Sequence, residues 1–300
     1  MDAQHDEFAF VESDAARVGL TSTVPTVTRV FAGPIAALKF GDQPSEYTFL
    51  HGAGLNAHTF DPTILALGAA AISIDLPGHG KSDWRDDADY RPRAMTQAVG
   101  TAIESLTASP QHMVGQSLGA LTAICVASAN LSSVHSLTLV DITPGVEPSD
   151  GGAAIREFIG GQSSFESVEE IIERAIRYQI GSDPVSLRRG ITLNTRVRGD
   201  GRLEWTHHLA HLADEPSTNS VFCEDRQIDY SGLWDDLDRI IDAGIKVALV
   251  RGESGMVPRR LEQQWIDRLP TSPVFTLPTG HNVQEQAPLE LAGIISEFTK

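Results

Sequence analysis

The sequence is poor in cysteine, in basic charge and in long apolar runs. Two cysteines in 300 residues do not make a disulfide framework. A chain of this length can instead rely on a large buried core, in one or two domains. Cys125 falls in an apolar helical stretch and Cys223 in a distant polar one, and both read as ordinary thiols. Basic residues number 23 against 40 acidic ones, a net charge of -17. That balance opposes binding to nucleic acid or to an anionic membrane, each of which needs a positive patch. The charges are scattered, as on a solvated surface. No apolar run approaches the ~20 residues that span a bilayer. The opening stretch, MDAQHDEFAFVESDAARVGL, has neither a basic n-region nor an apolar h-region. No secretory signal is therefore expected, and the expected location is cytoplasmic. Internal repeats and low-complexity tracts are absent as well.

What is present is an alternation. Strand-like runs occur at 27–32, 35–40 and 46–52, and again in AAISIDLPGHG (70–80), HMVGQS (112–117), VHSLTLVDITPG (134–145), IKVALVRG (245–252) and SPVFTLP (272–278). Several end at Gly or Pro, and helical spacing follows at 94–108, in LGALTAICVASA and in QEQAPLELAGIISEFT. Apolar strands alternating with helices predict a mostly parallel sheet covered on both faces. The alternation breaks between roughly 146 and 229, a more polar, helix-rich segment with a hairpin turning at Gly199-Asp200-Gly201. The expected organisation is a core of residues 1–145 and 230–300 with an insertion, 146–229, over one edge.

Within HMVGQSLGAL, residues Gly115-Gln116-Ser117-Leu118-Gly119 form G-x-S-x-G where a strand turns directly into a helix. Such a turn is too tight for side chains at the glycine positions, and it exposes the serine hydroxyl in a strained backbone. The helix start behind it offers free N–H groups to developing negative charge. GGQSS at 160–164 lacks both the second glycine and the strand-to-helix context. Ser117 is the candidate nucleophile. A serine needs a base, usually histidine. Of ten histidines, His281 lies in a loop after the last strand, on the rim expected to carry Ser117.

FLHGAGLNAHTFD, IDLPGHGKSDW, VGQSLGAL, LVDITPG, LVRG and GHNVQ follow one another in the order and spacing of the α/β-hydrolase superfamily, which the chain resembles over 45–145 and 230–300. The strings HGAGLNAHTFD and VDITPG, with LRRG in the insertion, resemble actinobacterial, mycobacterial-type serine esterases of this fold most closely. The resemblance implies an α/β-hydrolase fold, a cap formed by the insertion, and cleavage of small acyl esters without metal or cofactor. It also implies an oxyanion hole from the backbone N–H groups of Leu118 and Ala53, with Gly54 as the alternative to Ala53. His51, Asp75 and His79 resemble loop-shaping residues. Most relatives carry the triad acid after the strand that reads VALVRG here. This chain has RGESGMVP there, offering only Glu253. In some relatives the acid follows the strand after the nucleophile helix, where this chain has Asp141. Asp141 is the first choice and Glu253 the second.

Competing readings remain. LHGAGLNA fits a dinucleotide-binding fingerprint with Asp75 at the ribose position, but Asp61-Pro62 is expected to interrupt the helix that should follow. His207, His208 and His211 contain an i, i+4 pair able to ligate a metal, although a satisfied or solvated face explains them without one. A non-catalytic binding protein on a hydrolase scaffold is a further alternative. Within hydrolases carboxylesterase leads, while thioesterase, C–C hydrolase and cofactor-free haloperoxidase-like chemistry remain open. Phe158, Phe165, Tyr178, Leu193 and Trp205 are candidates either for pocket lining or for the insertion's own core.

Overall fold

A computed structural model describes residues 6–108, 110–147, 152–181, 183–214 and 229–300. Cys223 lies outside them. The chain opens with a short helix, α1 (Val11–Arg17), that the polar composition of this arm does not announce. Its apolar residues Val11 and Ala15 are buried, and Ala15 and Val18 pack with Leu65. The strands β1 (Val27–Ala32) and β2 (Ile35–Phe40) form an antiparallel hairpin. They are followed by β3 (Tyr47–Leu50), a 3-10 turn at Ala57–Phe60, α2 (Asp61–Leu67) and β4 (Ala71–Ile74). Pro62 lies in the first turn of α2. A proline there lacks only an N–H that has no helical partner anyway, so it starts the helix instead of interrupting one.

Next come α3 (Pro92–Leu106), β5 (Gln111–Gln116), α4 (Leu118–Ala129) and β6 (Val134–Val140). Every residue of α4 from Leu118 to Ser128 is buried, as a helix that is apolar on all sides requires. The insertion supplies α5 (Gly152–Gly160), β7 (Ser164–Phe165), α6 (Val168–Arg177), α7 (Pro184–Asn194), β8 (Thr195–Val197) and β9 (Leu203–Trp205), then a 3-10 stretch from His208. Ser167 caps α6, accepting a hydrogen bond from Glu170 N at 3.2 Å. The chain closes with α8 (Leu233–Asp242), β10 (Lys246–Gly252), α9 (Arg259–Arg268), β11 (Val274–Leu277), α10 (Val283–Gln286) and α11 (Pro288–Phe298). The single closing helix expected from the sequence is thus two, broken where Pro288 starts the second.

Among the described residues the large sheet has eight strands, in the order β1-β2-β4-β3-β5-β6-β10-β11. It is antiparallel at β1-β2-β4 and parallel from β4 to β11. β3 and β4 are buried along their whole length and β6 at all but His135, the mark of strands covered on both faces. Among the described residues the insertion adds no strand to this sheet. Its strands make a separate antiparallel sheet, β7-β9-β8. Trp205 is the centre of the insertion, with Phe165 and Phe158 at ring-centroid distances of 5.3 and 5.6 Å. Phe158 also packs against Tyr178, so these residues form the insertion's core. No described helix is long and apolar enough to cross a membrane.

Candidate active site

Three parallel strands, β5, β6 and β11, and the neighbouring β3 all end on one rim of the sheet, where open α/β sheets bind ligands. Ser117 stands between β5 and α4 with φ 51° and ψ -120°. The flanking glycines are required by space. A Cβ on Gly119 would lie 2.1 Å from Leu50 O, and one on Gly115 would lie 2.5 Å from Ala120 Cα. Among the described residues only four non-glycines have positive φ, and two of them are Ser117 and Asp141, the latter at 52°. Such backbone strain costs of order 1–3 kcal/mol and clusters at functional sites.

His281, on the loop after β11, donates from Nδ1 to Asp141 Oδ2 at 2.8 Å. Asp141 is fully buried. Its Oδ1 accepts from Gly252 N at 2.9 Å and its Oδ2 from Met256 N at 2.7 Å. The loop after β10 therefore supplies backbone donors to Asp141, and it passes so close that a Cβ on Gly255 would lie 2.1 Å from Oδ2. Glu253, on the same loop, is exposed, so the structure brings Asp141 to His281 and leaves Glu253 on the surface. With Nδ1 donating, the ring presents a lone pair at Nε2. That lone pair faces Gln116, whose Nε2 donates to His281 Nε2 at 3.1 Å and to His281 O at 3.2 Å. Ser117 is half-buried, and its hydroxyl makes no hydrogen bond among the described residues.

The loop after β3 brings Ala53 to the same rim. Gly54 N donates to His79 Nε2 at 3.1 Å, so that N–H is occupied. The N–H groups of Ala53 and Leu118 have no partner among the described residues. His51, Asp75 and His79 are all fully buried and bind backbone. His51 accepts from Leu76 N at 2.9 Å, and Asp75 from Ala57 N at 2.7 Å and Lys81 N at 2.9 Å. Burial pushes His51 down to about 4; burial and the neighbouring His51 push His79 to about 3. Both rings are thus neutral hydrogen-bonding fixtures. Asp75 is further paired with Arg29 at 2.8 Å.

The insertion meets the core through histidines. His207 is buried, 6.0 Å from His79 and stacked on Trp205 at 5.5 Å. His208 stacks on Trp84 at 4.3 Å and shares a 2.6 Å hydrogen bond with Tyr90 Oη. Among the described residues no group of three or more His, Cys, Asp or Glu could hold a metal ion. Cys125 is buried, with its thiol pushed up to about 11 by burial, which leaves it unreactive.

A profile of the alpha/beta hydrolase family matches residues 49–294. The chain belongs to this family. The hydrolase is 32% identical over 298 residues to the esterase Rv0045c of Mycobacterium tuberculosis, covering 97% of this chain and 94% of that one. A crystal structure of that esterase superposes with a TM-score of 0.82 at 33% identity, covering 97% and 98% of the two chains. The 2-(acetamidomethylene)succinate hydrolase of Mesorhizobium japonicum is 27% identical over 257 residues, 83% of this chain and 86% of that one.

Two features of this hydrolase's rim had no reading in the sequence. Gln116 occupies the variable position of G-x-S-x-G, which the motif leaves open. The other is a buried ion cluster beside the loop after β3. Arg189 of α7 bonds Asp14 of α1 at 2.6 Å and Asp61 of α2 at 3.0 Å. Its three members lie far apart in sequence, and no local pattern joins them.

Proposed function

We propose that the protein is a serine carboxylesterase that cleaves small acyl esters through an acyl-enzyme intermediate. The observation that carries this reading is the convergence, on one rim, of a strained, half-exposed Ser117 with a His281–Asp141 pair bonded at 2.8 Å. In this mechanism Ser117 Oγ attacks the ester carbonyl carbon as His281 Nε2 takes its proton. The tetrahedral oxyanion receives hydrogen bonds from Leu118 N–H and Ala53 N–H, donors of a kind that supply roughly 3–4 kcal/mol to the transition state. The intermediate collapses, and the imidazolium protonates the departing alcohol. Water, deprotonated by the same ring, then releases the carboxylic acid. Asp141 fixes the Nδ1–H tautomer and stabilises the imidazolium without taking the proton. Nearly full-length similarity to an esterase favours the ester among the acyl substrates this chemistry accepts.

The insertion acts as the cap of this site. Ile159 of α5 reaches the oxyanion loop, where a Cβ on Gly54 would lie 2.7 Å from Ile159 Cγ1. Ile159, rather than the aromatic cap core, is the side chain best placed to limit substrate size. A panel of p-nitrophenyl esters of increasing acyl length, with matching thioesters, tests both statements. Ser117→Ala should abolish turnover of every ester. Ile159→Ala should shift the preference toward longer acyl chains by several-fold in relative kcat/KM. Equal turnover by Ser117→Ala would remove the esterase reading, and an unchanged acyl ranking in Ile159→Ala would remove the cap's role in selectivity.

A further inference from the structure

The lone pair that must accept the serine proton is already engaged. Gln116 is fully buried, and both N–H groups of its amide are used on one residue, His281, at ring Nε2 and at backbone O. The amide's orientation follows from chemistry, because a carbonyl oxygen only accepts and so must face NH2. The cost appears at the other end, where Gln116 Oε1 is buried with no hydrogen-bond partner, an arrangement that proteins rarely leave in place without a reason. Gly52 makes the room for it. A Cβ there would lie 2.1 Å from Gln116 Oε1.

We propose that Gln116 is the positioning residue of the base: its amide holds the neutral His281 ring by the Nε2 lone pair until Ser117 and substrate compete for that atom. The proposal rests on the esterase reading for its catalytic meaning but not for its geometry. A donor on Nε2 bonds the neutral imidazole and not the imidazolium, so the contact holds the ring in the form that can accept the serine proton. The other groups around the ring do not duplicate this effect. Asp141, from the end of β6, faces Nδ1. Ser117, from the end of β5, is neutral. The loop after β10 presents backbone N–H groups to Asp141, with Glu253 exposed. On α10, the Glu285 carboxylate is bound to Thr59 at 2.7 Å. Among these groups it is Gln116 that occupies Nε2.

The test titrates the His281 imidazole by NMR in the full-length protein as wild type, Gln116→Met and Gln116→Glu. The pH dependence of fluorophosphonate labelling at Ser117 is measured on the same proteins. Methionine keeps the length and the burial but has no donor. Its His281 midpoint should rise by about half to one pH unit, the size of one lost neutral hydrogen bond, and the acid limb of labelling should rise with it whatever the plateau rate. Glutamate should raise the midpoint further, because a carboxylate at Nε2 favours the imidazolium. An unmoved or lowered midpoint in folded Gln116→Met overturns the proposal. If that variant does not fold, Gln116→Glu decides: a higher midpoint supports contact with Nε2, and an unchanged one overturns it. The NMR midpoint does not depend on catalysis. A shifted midpoint without labelling of wild-type Ser117 therefore removes the esterase reading alone, and labelling with an unshifted midpoint removes this proposal alone.

Discussion

Asp141 carries three hydrogen bonds on two oxygens, from Gly252 N, Met256 N and His281 Nδ1. All three partners donate, so an amide in its place must turn its NH2 toward a donor. Asp141→Asn is therefore expected to lose about 10³–10⁴-fold in kcat through the wrong imidazole tautomer and about 1–3 kcal/mol of stability through the lost acceptor. Ester kinetics and a thermal melt on the same sample read both. Glu253→Gln, at an exposed position, should stay within about 0.5 kcal/mol and near wild-type rate. The opposite ranking would move the acid to Glu253. Ser117 and His281 were legible in the sequence because both sit where an apolar strand run stops, and one lies between glycines that a tight turn needs. The resemblance put Asp141 before Glu253, but the contact that joins Asp141 to His281 was not legible. It depends on a loop folding its backbone N–H groups over Asp141, for which Gly252 and Gly255 clear the way, and local sequence does not encode that path. Gln116 was invisible for a different reason: its importance lies in a contact 165 positions away.

Strands were the most legible elements, because a strand buried on both faces is a short apolar run between breakers. Short helices were less so. α1 has too few apolar residues to show a period, and it is fixed by a tertiary contact, the bond of Asp14 to Arg189. That contact anchors α7, in the insertion, to α1. Arg189 also donates to His58 O at 3.0 Å, and Asn56 Nδ2 to Leu193 O at 2.7 Å, so α7 is tied to the loop after β3. Removing the guanidinium leaves the Asp14 carboxylate buried without its cation and Asp61 with His58 alone. Arg189→Met should cost about 3–5 kcal/mol, a fall of roughly 5–15 °C in melting temperature. It should also open the chain N-terminal to α2 to limited proteolysis. A melt within 2 °C of wild type, on the order of 1 kcal/mol or less, would mean the cluster contributes little.

Across the whole molecule the buried histidines set the pH range of stability. His51, His79 and His207 are all held neutral by burial, at about 4, about 3 and well below the usual value of 6.5 respectively. Below pH ~6.5 the unfolded chain gains protons at these three sites and the folded one does not, so stability falls with acid by up to roughly 4 kcal/mol per pH unit. His58 runs the other way. Burial alone would strip its proton, but Asp61 and Glu7 overcome that and raise it to about 9. Its contribution is complete below 6.5 and is lost as pH rises through about 9. Glu7 is lowered to about 2, chiefly by its bond to His58, and stabilises the fold above 4.5. Melting temperature should therefore peak near pH 6.5–7, with a steep acid side and a shallow alkaline one. A higher melt at pH 9.5 than at 6.5 would contradict this assignment. The esterase reading turns on a single oxygen atom, Ser117 Oγ. The protein is treated with a fluorophosphonate, its intact mass is measured, and the adduct is mapped by peptide sequencing. One adduct is expected, on Ser117, absent from Ser117→Ala and formed at least about 10³-fold more slowly in His281→Ala. No adduct on the wild-type protein, or an adduct that persists in Ser117→Ala, would contradict it.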